Sequence, residues 1–302
     1  MWTLTDLSLH KALAVFFFSC IYPTPLLIMH IIEVFTKGKH SEAANEDGWI
    51  VTNDFAAVID GSTSKVEFRI GNKSKGQFAT ETIQEAISHL PSNISMSEAL
   101  LYLTEALASA VPDLLHKEAA YRFTCSAVIF SKQRKELWFI GDCQSRFCGI
   151  THTHPKLIDT LLTQIRCDIV KYALKKGYST NELLKNDIGR NFIFNELREQ
   201  CHFQNDTNPA NIFRYPVLDG TPIPPELVSV VSVSDAKQLI LASDGYPRLF
   251  DTLQESEDYL ERVLSQDPLC IHENPATKCL IEGNSSFDDR TFLRLSINDS
   301  TL

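Results

Sequence analysis

The chain has 302 residues, enough for one large domain or two small ones, and its 44% hydrophobic content supplies a core, so a folded globular protein is expected. Its net charge of -10 argues against a nucleic-acid surface, which needs clustered Lys and Arg without competing carboxylates. Eight cysteines without a CxxC pair read as reduced thiols in apolar segments and favour a cytoplasmic setting.

Residues 1–28 are apolar, with no charge between Lys11 and Glu33 and three consecutive aromatics at Phe16, Phe17 and Phe18. Three readings stand: an upstream extension ahead of a start at Met29, a secretory signal, or a membrane segment interrupted by Pro23 and Pro25. Any membrane association is confined to this stretch. Residues 29–298 then form one domain. Short β-branched or aromatic runs predict strands at 30–35, 49–52 and 55–59. Apolar residues at helical spacing predict a helix over 77–90, and Ser95 with Glu98 reads as a capping box opening a second helix through Val111.

Strands are predicted at 123–130 and 137–140, the latter stopping at Gly141-Asp142. Residues 155–200 read as largely helical, with Thr180 as a cap inside the segment, and strands follow at 211–217, 227–233, 238–242 and 291–297. Helical pattern at 246–264 separates the last two. Blocks of strands alternating with paired helices imply two packed sheets with helices outside.

Four segments run an apolar strand or a turn into an acid beside glycine: Asn45-Glu46-Asp47-Gly48, Ile59-Asp60-Gly61, Ile140-Gly141-Asp142 and Ser243-Asp244-Gly245. In a fifth, Asp288-Asp289 precedes a strand. A carboxylate at a strand end is firmly aimed, and several such oxygens suit hard divalent cations. His152-Thr153-His154 has metal-ligand spacing but no third ligand nearby, and reads as a surface loop. Lys65, Lys73 and Lys75 follow the Asp60 loop, either to attract a phosphorylated substrate or as a solvated charge cluster. The central residues of P-loop NTPases, α/β-hydrolases and zincins are missing from the sequence.

In this order and spacing, the acidic segments resemble the motifs of the PPM or PP2C-type metal-dependent serine/threonine phosphatases, over roughly residues 33–297. The resemblance implies an α+β fold, a four-layer α-β-β-α sandwich of two antiparallel sheets flanked by helix pairs. It implies two Mg²⁺ or Mn²⁺ ions, with a third as in bacterial relatives, and a phosphorylated protein or peptide as substrate. Asp60 would bridge the ions, Glu46 and the Gly61 carbonyl would hold one, and Asp244 and Asp288 the other. Asp289 is the alternative to Asp288. Asp47 would order a water, and Asp142 would serve the third ion. The implied reaction is phosphomonoester hydrolysis by a water bridging two cations.

Three departures accompany the resemblance. Glu42 stands where the family commonly carries a phosphate-holding arginine, Ser62-Thr63-Ser64 replace the usual histidine and glycines after the first Asp-Gly, and the segment from Asp142 to Arg146 is two residues longer. They support an alternative, a weakly active or inactive phosphatase fold that binds a partner.

Overall fold

The computed structural model describes residues 27–299 except 67, 113–114 and 116–117. The readings of residues 1–28 therefore lie outside it, apart from Leu27 and Ile28, which open the first strand.

Two five-stranded sheets organise the chain. The first takes β1 (Leu27–Lys37), β8 (Gln144–Phe147), β9 (Ile150–His152), β11 (Gln238–Ala242) and β12 (Arg290–Asp299), in the order β1-β12-β11-β8-β9. The second takes β2 (Asp47–Val51), β3 (Phe55–Gly61), β6 (Cys125–Ser131), β7 (Glu136–Ile140) and β10 (Ser229–Ser232), in the order β10-β7-β6-β3-β2. Every strand pairing in both is antiparallel. A two-stranded hairpin, β4 (Arg69–Ile70) with β5 (Lys73–Ser74), precedes the first helix.

The period of two along each strand sorts the core into layers. Val58, Val128, Phe130 and Phe139 from the second sheet meet Leu239, Leu241, Leu293 and Leu295 from the first, so the two sheets pack face to face. The alternate residues Phe55, Ala57, Ile59, Ile129 and Trp138 face outward onto α1 (Lys75–Ser88) and α2 (Met96–Ala110), through Ile83, Ile87, Leu103 and Leu107. Both helices start in a capping box, Ser74 with Gln77 and Ser95 with Glu98.

The remaining helices are α3 (Leu157–Lys175), α4 (Thr180–Lys185), α5 (Ile188–Glu199) and α6 (Leu253–Gln266). α3 and α5 pack together through Ile158, Leu162, Ile193 and Leu197. Buried Arg166 ties α3 to Asp187 and to the carbonyls of Leu269, Cys270 and Ala276. On the outer face of the first sheet, Ile240, Ala242 and Phe292 are covered by Tyr246, Leu249 and Leu253. The α+β sandwich of two antiparallel sheets expected from the motifs is the architecture observed.

Local expectations need correction. Residues 211–217 form turns and one isolated bridge, Gln204 with Tyr215, because Asn208 and Asn211 fold their side chains back onto nearby amides in place of a ladder. Ser179, not Thr180, caps α4, since its hydroxyl accepts from Glu182 N. The last helix begins at Leu253 rather than near 246, because Tyr246 and Leu249 are used to cover the sheet. Of the histidines read as a surface loop, His152 ends β9 and His154 lies in the irregular segment after it, and both are half-buried. His152 stacks on Phe147 with ring centroids 4.7 Å apart, and His154 lies 4.5 Å from Phe139.

Candidate active site

The same period of two brings the acids together. Asp60 continues the row Ala56, Val58 on the inner face of β3, and Asp47 continues Trp49 and Val51 on β2. The register sets Asp47 directly opposite Asp60, and Asp60 opposite Ser126 of β6. At this end of the sandwich the apolar rows stop and a row of Asp47, Asp60 and Ser126 crosses the second sheet. The first sheet arrives from the other side. Ser243 follows β11, and its hydroxyl donates to Asp47 Oδ2 at 2.6 Å while accepting from Thr291 N.

Asp142 follows Gly141, whose φ of +94° turns the chain out of β7. Ser126 Oγ donates to Asp142 Oδ1 at 2.8 Å and Lys156 Nζ to Oδ2 at 2.7 Å. Glu46 is buried, with Oε2 accepting from Thr63 Oγ1 at 2.6 Å and Oε1 from Ser74 Oγ. Its carbonyl receives Gly61 N at 3.1 Å and Thr80 Oγ1 at 2.7 Å. Asp289 is buried and accepts the backbone amides of Lys39 and Glu46. Asp288 faces two ammonium groups, Lys39 Nζ at 2.9 Å and Lys278 Nζ.

Every acid singled out from the sequence thus lies at or beside one end of the sandwich, but their electrostatic states differ. Burial pushes the Asp47 carboxyl up to about 7, opposed by the Ser243 hydrogen bond and reinforced by Asp289 and Asp244. Burial and the charges of Asp47, Asp244 and Asp142 raise Asp60 well above the carboxylate range, against the pull of Lys278. Burial acts on Asp142 in the same sense, but Lys156 and Ser126 outweigh it and hold that group below its ordinary value.

The cations beside these acids carry no signal in the sequence. Lys39, Lys156 and Lys278 reach these acids from segments with no recognisable motif, and the Lys39–Asp288 contact spans 249 residues of chain. Glu42, by contrast, is exposed on a single 3-10 turn, Glu42–Ala44. Arg146 pairs with Asp251 and donates to Gly149 O and Thr151 Oγ1.

Among the described residues, no group of three or more His, Cys, Asp or Glu side chains stands as a ready metal site. The donors nonetheless differ in how well they fit a hard cation. Asp47 Oδ1 is buried without a hydrogen-bond partner, and no donor among the described residues bonds the side chains of Asp60 or Asp244. These three suit an oxygen-preferring cation by chemistry and by the oxygens they leave without a donor. The oxygens of Glu46, Asp142 and Asp288 already receive hydroxyl or ammonium donors, which a cation would have to displace.

No family model matches the chain, and no curated protein is significantly similar to it. Solved structures similar to it include the catalytic domain of the serine/threonine protein phosphatase PstP in complex with two manganese ions, at 15% identity and TM-score 0.45, covering 90% of this chain and 100% of that one. PppA of Pseudomonas aeruginosa is similar at 13% identity and TM-score 0.45, covering 90% and 98% of the two chains. Stp1 of Staphylococcus aureus is similar at 14% identity and TM-score 0.43, covering 89% and 96%. Two of these three are serine/threonine phosphatases, and at these identities and TM-scores the likeness carries no argument about activity.

Proposed function

We propose that the chain is a metal-dependent phosphomonoester hydrolase acting on phosphoserine or phosphothreonine in proteins. The observation that supports this reading is the cross-strand pair of Asp47 and Asp60, two carboxylates directly opposite each other with Asp244 close by. Like charges placed so cost folding free energy, and the cost disappears when a cation arrives between them. Asp60, Asp47, Asp244 and the Gly61 carbonyl would hold Mg²⁺ or Mn²⁺, with Glu46 and Asp288 joining once their present donors move aside. When bound, a pair of such ions supplies an acidified water and positive charge for the phosphoryl oxygens. The protein's own part is positional. Ser243 fixes one oxygen of Asp47 and leaves the other open to a cation, while Lys39 and Lys278, once released from Asp288, would neutralise an incoming phosphate.

A second reading, a partner-binding protein with little or no turnover, is favoured by one feature. Lys39 and Lys278 on Asp288, and Lys156 on Asp142, place ammonium groups where cation ligands are expected. Hydrolysis of an aryl phosphate by the full chain with Mn²⁺, with and without excess chelator, separates the readings. Turnover that chelator and Asp60→Asn both abolish supports the enzyme. Mn²⁺ binding without turnover supports the partner-binding reading, and turnover in excess chelator overturns the metal-based mechanism.

A further inference from the structure

Beside the aspartate cluster lies a cavity of about 100 Å³, larger than one water needs and suited to a small tetrahedral anion. Among the described residues its wall contains five basic side chains, Lys65, Lys75, Arg122, Lys156 and Arg198, and no Asp or Glu, in a chain whose net charge is -10. Hydroxyls at Ser62, Thr63, Ser64, Thr124 and Ser126 line it as well. Ser126 and Lys156 belong to this wall and also bind Asp142, so the cavity and the aspartate cluster share a boundary.

The charge balance inside the wall is uneven. Arg122 is paired with Asp219 at 3.2 Å and Lys156 with Asp142. Lys65 and Lys75 have no carboxylate partner among the described residues; Lys65 Nζ donates to the Thr63 carbonyl at 2.8 Å and Lys75 Nζ to the Ala120 carbonyl at 2.7 Å. Lys75 is 3% exposed, and a buried ammonium whose acceptor is a neutral carbonyl is costly to keep charged. Lys73, two residues earlier, differs: it is exposed and pairs with Glu81. The three lysines after the Asp60 loop thus divide into one solvated ion pair and two cations turned to the cavity.

We propose that this cavity is an oxyanion subsite that takes a phosphate group, separate from the aspartate cluster. An anion there would receive charge-assisted hydrogen bonds from Lys65, Lys75 and Arg198 and would offset repulsion among the basic groups. The fall of Lys65 to about 7, through burial and then the charges of Arg190, Lys278, Lys39 and Lys156, and the lowering of Lys75 by burial agree with a pocket short of negative charge. Two sources supply such a group: free inorganic phosphate, the product of the proposed reaction, or a second phosphate on a multiply phosphorylated peptide. The second source rests on the phosphatase reading; the subsite itself does not.

The test is titration of inorganic phosphate into the full chain in excess chelator, followed by heat release. Wild type is expected to bind, with at least tenfold weaker binding in Lys75→Met, competition by sulfate and weakening at high salt. Should Lys75→Met not fold, Lys65→Met and Arg198→Ala, the latter at an exposed position, carry the same expectation. Absence of binding, or wild-type affinity in all three variants, overturns the proposal. A chain without phosphatase activity whose phosphate binding still depends on Lys75 supports the subsite and counts only against the enzyme reading. With activity present, a preference in kcat/KM for a doubly over a singly phosphorylated peptide that Lys75→Met removes assigns the subsite to substrate. Phosphate binding without that preference assigns it to free phosphate.

Discussion

Replacing Asp47 by Asn in the metal-free chain should make the protein more stable at alkaline pH. The Asp47 carboxyl rises from 3.8 to about 7 on folding, so the folded state holds its proton more tightly than the unfolded state does. Below pH 3.8 the group is protonated in both states and costs nothing; the penalty grows as pH rises and is complete above about 7. At about 1.4 kcal/mol per pH unit, keeping the carboxylate ionised in the fold costs up to about 4 kcal/mol. Asn keeps the shape and an oxygen that still accepts from Ser243 Oγ, but removes the charge facing Asp60. Urea unfolding in chelator at pH 4 and pH 8.5 reads the effect. The variant should match wild type at pH 4 and exceed it at pH 8.5 by at most about 4 kcal/mol. Adding Mn²⁺ should shrink the difference, because a ligand at a hundred times its Kd stabilises the wild type by about 2.7 kcal/mol and the weakened site gains less. A variant less stable at pH 8.5 in chelator, or a difference independent of pH, would refute the idea that keeping buried Asp47 ionised beside the other acids costs folding free energy.

Asp60→Asn and Asp244→Asn should each remove Mn²⁺-dependent aryl phosphate hydrolysis while circular dichroism and cooperative unfolding persist, since amides keep the volume but bind cations weakly. Gly61→Ala should destabilise the fold by about 1–3 kcal/mol in urea unfolding, because a Cβ there would stand 2.5 Å from the Glu46 carbonyl and 2.7 Å from the Gly76 backbone. Glu42→Arg should raise kcat/KM for small anionic phosphomonoesters by no more than roughly tenfold, with the gain lost at high salt, since Glu42 is exposed and water screens it. A gain that survives high salt would place Glu42 in contact with substrate.

How far the sequence reveals this arrangement depends on the range of the interactions. The strand-end acids are visible because each motif is local: the apolar run 57–59 ends in Asp60, and 239–242 leads to Asp244. The capping box of Ser95 and Glu98 is equally local, and it forms as read. What escapes is set by register and by long-range contact. Nothing in the Glu46-Asp47 segment says that Asp47 will lie opposite Asp60, since that follows from the pairing of β2 with β3. Lys39, Lys156 and Lys278 look like ordinary surface lysines until the fold brings them to Asp288 and Asp142. The burial of Lys75 is hidden for the same reason, because its acceptor at Ala120 belongs to a turn beyond α2. Asn211 and its neighbours mislead in the opposite direction, as side chains that close turns onto nearby amides interrupt an otherwise strand-like run.

Asp47, Asp60 and Asp244 are proposed to form a divalent-cation site. Its most direct test is calorimetric titration of Mn²⁺ into the full chain freed of metal by chelator and dialysis, beside Asp60→Asn under the same conditions. Saturable binding to wild type and at least a tenfold loss of affinity in the variant are expected, with protons released on binding as the raised carboxyl of Asp47 ionises. No measurable binding to wild type, or equal affinity in the two proteins, would contradict it.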